Sequence, residues 1–370
     1  MLANLQLSVK GKNKIMKTKN TIIVFIYMAG LVTAQYEDTN IPDVVTKVAT
    51  AAGNWLKLET SARAIGMGGA HVAVDAGIAG TPYNPASAAF VEGSEAYFSK
   101  VNYVAGISHL SMGYGTQLSS TDYLGLHLFF LDSGPMDVTN EWYPDGTGEN
   151  FHVYGLSFRT TYAKTLTDRL RFGITLKYVR EQIYTTYMQS FSVDIGSNFK
   201  TGIFGFDLGM CVSNYGPDVQ FHGEGLEIPV GHNVSVDSAA VKITEKFPLP
   251  LAFRLGVRND IIGPGSVFVP SSVHRLTLVA DGVAPIDYTL YGSFGLEYSW
   301  MEFVQLRMGY RFGRATGMDD SDRKSYPLAG LSMGGGLYYK VRGFSLGVDY
   351  AIVDDGILDM THQFGINLGF

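Results

Sequence analysis

The chain has 370 residues, is 46% hydrophobic and 17% charged, and carries a net charge of −6. That balance argues against a nucleic-acid partner, and a single cysteine, Cys211, excludes an internal disulfide. With 44 Gly, 22 Tyr and 22 Phe the composition disfavours a helical protein. Glycine is poor in helices, and aromatic residues favour strands and membrane interfaces.

Residues 1–34 read as an export sequence. Met16-Lys17-Thr18-Lys19-Asn20 is basic, Thr21 to Val32 is apolar, and Val32-Thr33-Ala34 offers small residues for cleavage before Gln35. The apolar run is shorter than the roughly 20 residues of a spanning helix. Met1 to Ile15 read as sequence upstream of a start at Met16, and no cysteine follows the export segment to carry lipid.

Residues 35–93 differ in character from the remainder of the chain. Asn40 to Asn54 has the length for a short helix, and a Gly- and Ala-rich stretch runs on to Ala89. Such a backbone packs closely and turns sharply. The segment is too small and polar for a separate domain and is expected to be a hatch, or plug, inside a barrel.

Residues 94–370 alternate. Fourteen strand-length segments are expected, near 94–104, 106–115, 121–132, 151–164, 168–182, 188–200, 202–214, 249–262, 272–282, 288–300, 303–313, 329–341, 343–353 and 358–370. In one, Leu170, Phe172, Ile174, Leu176 and Tyr178 oppose Arg171, Gly173, Thr175 and Lys177. In another, Val304, Leu306, Met308, Tyr310 and Phe312 oppose Gln305, Arg307, Gly309, Arg311 and Gly313. The last ends on Phe364, Ile366, Leu368 and Phe370, against Gly365, Asn367 and Gly369. Successive side chains of a strand face opposite ways, so each strand has an apolar face and a small or polar one.

A soluble sandwich also alternates, but its strands average about 5–6 residues, whereas membrane strands need roughly 9–11. The long connections, 133–150, 215–248 and 314–328, follow strands 3, 7 and 11 and so share one end. Tight turns near Leu166-Thr167-Asp168, Thr201, Met301-Glu302 and Arg342-Gly343 share the other, and Gly263 to Ser271 is the longest of these. Short periplasmic turns and long outer loops mark an outer-membrane barrel. The expected fold is therefore all-β, a fourteen-stranded antiparallel transmembrane β-barrel with an N-terminal hatch.

The small or polar face carries Arg171, Lys177, Arg254, Arg258, Arg275, Arg307 and Arg311, with Asp194, Asp207, Glu297 and Asp349. Charges facing lipid would cost several kcal/mol near the midplane. In a lumen they pair, and an ion-pair network is the expected arrangement.

Gly330-Leu331-Ser332-Met333-Gly334 and Gly343-Phe344-Ser345-Leu346-Gly347 match G-x-S-x-G but sit in strands, without the strand-to-helix turn a nucleophile needs. Gly66-Met67-Gly68-Gly69 lacks the G-K-[ST] ending of a phosphate loop. Histidines 71, 109, 127, 152, 222, 232, 274 and 362 show no paired ligand spacing. His222 and His232 share a loop with Glu224, Glu227 and Asp237, which reads as a solvated loop rather than a metal site. Trp55, Trp142 and Trp300 read as interface or loop-packing residues. No catalytic set and no cofactor site is expected.

The run Ala62-Arg63-Ala64-Ile65-Gly66-Met67-Gly68-Gly69-Ala70, then Val72-Ala73-Val74 and Asn84-Pro85-Ala86, resembles the signature of the PorV/PorQ family, within the FadL-like superfamily of outer-membrane proteins. The signature residues are Arg63, Gly66, Gly68, Gly69, Asn84 and Pro85. Tyr83 stands for the family's Trp, Ser87 for its Gly, Ala88 for its Leu, and its acidic pair is reduced to Asp75. The resemblance implies a non-enzymatic component of type IX secretion in the outer membrane of a Gram-negative-type bacterium. Such a component binds the C-terminal signal domains of secreted cargo, and translocon and attachment proteins, through its outer loops. The wider superfamily implies the alternative, a transporter with a hydrophobic ligand in the lumen.

Overall fold

A computed structural model describes residues 50–103, 106–229, 239–313 and 328–370. The export segment 1–34 and the first part of the expected hatch lie outside these. Fourteen long strands form a closed antiparallel barrel. They are β1 (Ser94–Asn102), β2 (Ser108–Gln117), β3 (Asp122–Asp132), β4 (Val153–Thr165), β5 (Leu170–Ile183), β6 (Thr186–Lys200) and β7 (Phe206–Tyr215). The second half is β8 (Ala252–Gly263), β9 (His274–Pro285), β10 (Tyr291–Trp300), β11 (Val304–Gly313), β12 (Leu331–Val341), β13 (Phe344–Asp354) and β14 (Met360–Gly369). Each pairs with its neighbours in sequence, and β14 closes on β1 from Glu95↔Gly369 to Asn102↔His362. Closure is what lipid demands, since an unpaired edge has no water to bond.

The pleat sorts the residues as the alternation requires. Leu126, Phe158, Leu176, Phe253, Leu306, Val348 and Phe364 are exposed on the outer wall. Their sequence neighbours His127, Arg159, Lys177, Arg254 and Arg307 are buried within.

The turn after β8 is built rather than loose. Val269 and Pro270 run parallel to Ile262 and Gly263. Ser266 Oγ donates to the Ile261 carbonyl at 2.7 Å and accepts from Phe268 and Val269 N–H. Strand β8 begins at Ala252, three residues later than the alternation predicts, because Pro248 and Pro250 lack the N–H a ladder needs. Strand β7 carries a bulge. The β6–β7 register shifts between Val193 and Ile195, and Asn214 takes a left-handed φ of 63°.

The seam between β14 and β1 ends on Phe370. Its N–H donates to the Ser94 carbonyl at 2.8 Å, its carbonyl accepts from Ser94 N–H at 3.1 Å, and its ring packs on Phe344. Deleting Phe370 should slow barrel assembly, read as a smaller heat-modifiable folded fraction on cold electrophoresis. A truncated chain that folds as fast and as completely as the parent would refute that role for the seam.

Candidate functional site: the lumen and the segment inside it

Residues 50–93 touch lumen-facing atoms of all fourteen strands. Tyr97 Oη of β1 donates to the Thr60 carbonyl, and Asp281 of β9 accepts from His71 and Val72 N–H at 2.6 and 2.9 Å. Ala62 and Ile65 pack on Ala351 of β13. Elsewhere the contacts fall on wall glycines: Gly113, Gly125, Gly155, Gly173, Gly196, Gly209, Gly256, Gly295, Gly309, Gly334 and Gly365 each lie against a residue of this segment. The inward small residues of the strands are thus a girdle that admits a chain into the lumen at backbone contact.

The segment's local structure follows its sequence. A short helix, α1 (Ala62–Gly66), ends at Gly68 and Gly69, whose φ of 69° and 83° suit glycine. A Cβ on Gly66 would press on Gly334 Cα at 3.3 Å and Arg307 Cβ at 3.2 Å. Gly68 N–H donates to Ser332 Oγ at 2.9 Å, so the serine of the first G-x-S-x-G run is an anchor. Asn84 caps the 3-10 turn Pro85–Phe90 by accepting from Ala86 N–H, and its amide donates to the Val72 and Ser197 carbonyls. Pro85 backbone lies over Gly173.

Charge fixes the other contacts. Arg63 grips Glu297 with two bonds, Nε at 2.8 Å and Nη2 at 2.7 Å. Glu297 also accepts from Arg307 Nε at 2.6 Å, and Arg307 Nη1 reaches Asp349 at 2.5 Å. Arg307 also bonds Gln305. Asp349 further accepts from Tyr338 Oη at 2.6 Å and Asn367 Nδ2 at 2.9 Å. One buried network therefore joins the segment to β10, β11, β12, β13 and β14. Arg258 meets Asp75 at 2.9 Å and Asp260 at 3.2 Å, with Asp207 farther off at 3.9 Å. Arg311 meets Glu59 at 3.0 Å.

The remaining charges lie apart from that network. Asp194 pairs with Lys177 at 2.6 Å and accepts the Asn214 N–H at 2.7 Å, holding the β7 bulge. Arg171 lies over the Phe90 ring at 4.2 Å, and Arg275 reaches Glu302 at 3.4 Å. Arg254 is buried, and among the described residues its Nε has no acceptor. Within the segment, burial and the Arg63 cation hold the His71 imidazole well below its ordinary pKa, hence neutral.

Glu59 and Asp281 take part but were not singled out by sequence, and Asp75 was named there only as the remnant of the signature's acidic pair. Asp281 shares strand parity with Thr277 and Val279, which marks its inward face. Glu59 and Asp75 lie in irregular chain with no period to mark them. His232 and Asp237 of the suggested loop cluster lie outside the described residues. Among the described residues no group of three His, Cys, Asp or Glu is placed to hold a metal.

At the long-loop end, which is the outer end of such a barrel, the lumen turns apolar. Trp55 and Leu56 of the segment meet Phe129 and Leu131 of β3, Val179 of β5, Met188 of β6, and Val219 and Leu249 of the loop 216–251. Trp55 stacks on Phe129 with centroids 5.6 Å apart. Beside this cluster the β6 edge is unladdered from Met188 to Ser192: β7 pairing stops at Val193↔Tyr215, and the next pair is Tyr187↔His222.

These features define a transmembrane outer-membrane β-barrel with a filled lumen. No protein-family model matches the chain, and no curated protein does. Among solved structures it is similar to the Pseudomonas putida toluene transporter TodX, at 14% identity and a TM-score of 0.52, over 84% of this chain and 98% of that one. A Pseudomonas aeruginosa FadL homologue matches at 10% identity and 0.50, over 84% and 98%. The CymD monoaromatic hydrocarbon channel matches at 12% and 0.50, over 84% and 96%. The chain shares its fold with these three barrels.

Proposed function

We propose that the chain carries small hydrophobic molecules across the outer membrane, with residues 50–93 as the hatch that closes its lumen. The apolar cluster of Trp55, Phe129, Leu131, Val179, Met188 and Leu249 carries this reading. Were Trp55 and Leu56 to move aside, its apolar walls would let an apolar solute leave water. It also adjoins the stretch, Met188 to Ser192, where β6 has no ladder on its β7 side, so departure toward the bilayer between β6 and β7 breaks no strand pairing there. The proteins that share the fold include a toluene transporter and a hydrocarbon channel by name, which favours this reading over the secretion role implied by the signature.

The secretion reading draws on one further observation. The loop after β3 is braced by the Met136–Asp137 and Asn150–Phe151 ladder, and Asn140 Oδ1 accepts Trp142 and Tyr143 N–H. It presents Trp142 at 85% exposure, a protruding aromatic suited to a protein partner.

Toluene uptake by proteoliposomes holding the full chain separates the two. Uptake should exceed that of empty vesicles, and Met188→Arg, which places a cation in the cluster, should lower it about ten-fold or more. Uptake no faster than in empty vesicles, with cargo lost from the surface of a deletion strain, would replace transport with secretion.

A further inference from the structure

A chamber of about 170 Å³ lies on the outer side of α1, between residues 57–68 and strands β1, β2, β11, β13 and β14. A cavity of about 150 Å³ admits benzene, so this one suits a ligand of about six to ten heavy atoms. Its lining is unlike the apolar cluster. Two cations, Lys57 and Arg311, and two carboxylates, Glu59 and Asp355, meet there, so its formal charge sums to zero.

Arg254, Arg258 and Arg307 are sealed, but Lys57 and Arg311 keep 29% and 27% of their side chains accessible. Each already holds one carboxylate, Lys57 on Asp287 at 2.7 Å and Arg311 on Glu59 at 3.0 Å. Among the described residues no acceptor is paired with Arg311 Nη1. Asp355 lines the same chamber as Arg311, and among the described residues no ion pair within 4.0 Å joins them; burial raises the Asp355 pKa, with Thr361 and Arg311 acting against it. Asp355 instead accepts Thr361 Oγ1 at 2.8 Å. Opposite charges thus line one chamber without an ion pair between Arg311 and Asp355. Between them the floor is apolar, from Ile65, Val101 and Val353.

We infer that this chamber binds a small zwitterion with an aliphatic side chain, an α-amino acid of leucine size. Its carboxylate meets Arg311 and the outer side of Lys57, its ammonium meets Asp355, and its side chain lies on Val101 and Val353. A plain fatty acid would satisfy the cations but leave Asp355 beside its alkyl chain. A hydrocarbon would desolvate Asp355 with no cation to offset its charge. The chamber borders the apolar cluster at Leu58 and at His109, which packs on Phe129, and differs from it in holding charge.

Calorimetric titration of the full chain in detergent with L-leucine tests it. Leucine should bind in the millimolar range or tighter. 4-Methylpentanoate, which lacks the ammonium, and 3-methylbutylamine, which lacks the carboxylate, should each bind about ten-fold more weakly, the equivalent of one charge-assisted hydrogen bond. Asp355→Asn should weaken leucine about ten-fold and leave 4-methylpentanoate unchanged. 4-Methylpentanoate binding as tightly as leucine would make this an anion site and overturn the inference, as would no heat from leucine. The analogue series on the unmodified chain decides the matter even where Asp355→Asn does not fold.

Discussion

A Gly309→Leu barrel should lose about 3 kcal/mol of stability, the upper part of the range for overpacking a filled interior. Gly309 faces inward on β11, and a Cβ there would overlap Gly68 N and the Met67 carbonyl carbon. Interiors usually absorb a new methyl by shifting a flexible side chain. Here the neighbour is backbone. Gly68 N–H is held by Ser332 Oγ and by the Ile65 carbonyl, so that turn has little room to move. Arg63 is held on Glu297, and on the far wall Pro85 already lies over Gly173, so the segment cannot retreat across the lumen. The leucine must therefore unseat the segment or deform β11. Thermal unfolding in detergent, followed by the loss of the compact form on electrophoresis, measures the cost. Gly282→Ala is the matched control: nothing lies within 4 Å of its Cβ position, and it should stay within about 0.5 kcal/mol of the parent. Equal melting of the two variants would mean that residues 66–69 do not seat on β11.

The barrel was legible because lipid imposes one rule on every strand. Val304, Leu306, Met308 and Phe312 turn outward because nothing else satisfies the bilayer, and Arg307 and Arg311 turn inward as a result. Even one pairing was within reach. The turn at Met301 to Phe303 sets the β10–β11 register, which puts Glu297 directly opposite Arg307. The contact between Arg63 and Glu297 was not readable, because it spans 234 positions and one partner sits on a short helix with no strand parity. The bulge at Asn214 was equally hidden. A left-handed Asn is a local choice, made stable by Asp194 and Lys177 from two other strands and by the Pro250 carbonyl. The glycines were visible as composition and as alternating small residues. That they form a girdle around an inner segment depends on where the segment lies, which no periodicity records.

Arg307→Met should cost about 3–5 kcal/mol, the penalty for removing one partner from a buried ion cluster. The Arg307 side chain has no accessible surface, and among the described residues it is the one group that bonds both Glu297 and Asp349. Glu297 would keep its two bonds from Arg63, so its loss is partial. Asp349 would keep only the neutral donors Tyr338 Oη and Asn367 Nδ2 and become a charge buried without a cation. The double variant Arg307→Met, Asp349→Asn should therefore recover more stability than Arg307→Met, Glu297→Gln, which removes the carboxylate that Arg63 still needs. Arg307→Lys should fall between, since an ammonium lacks the guanidinium fork that reaches two carboxylates at once. Urea unfolding of the four variants in lipid vesicles gives the ordering. Equal recovery in the two doubles would mean that Glu297 and Asp349 share the Arg307 charge evenly and that Arg63 contributes little to holding the segment. Greater recovery with Asp349→Asn would place the anchor of the segment on Arg63–Glu297, with Arg307 as the residue that neutralises the wall behind it.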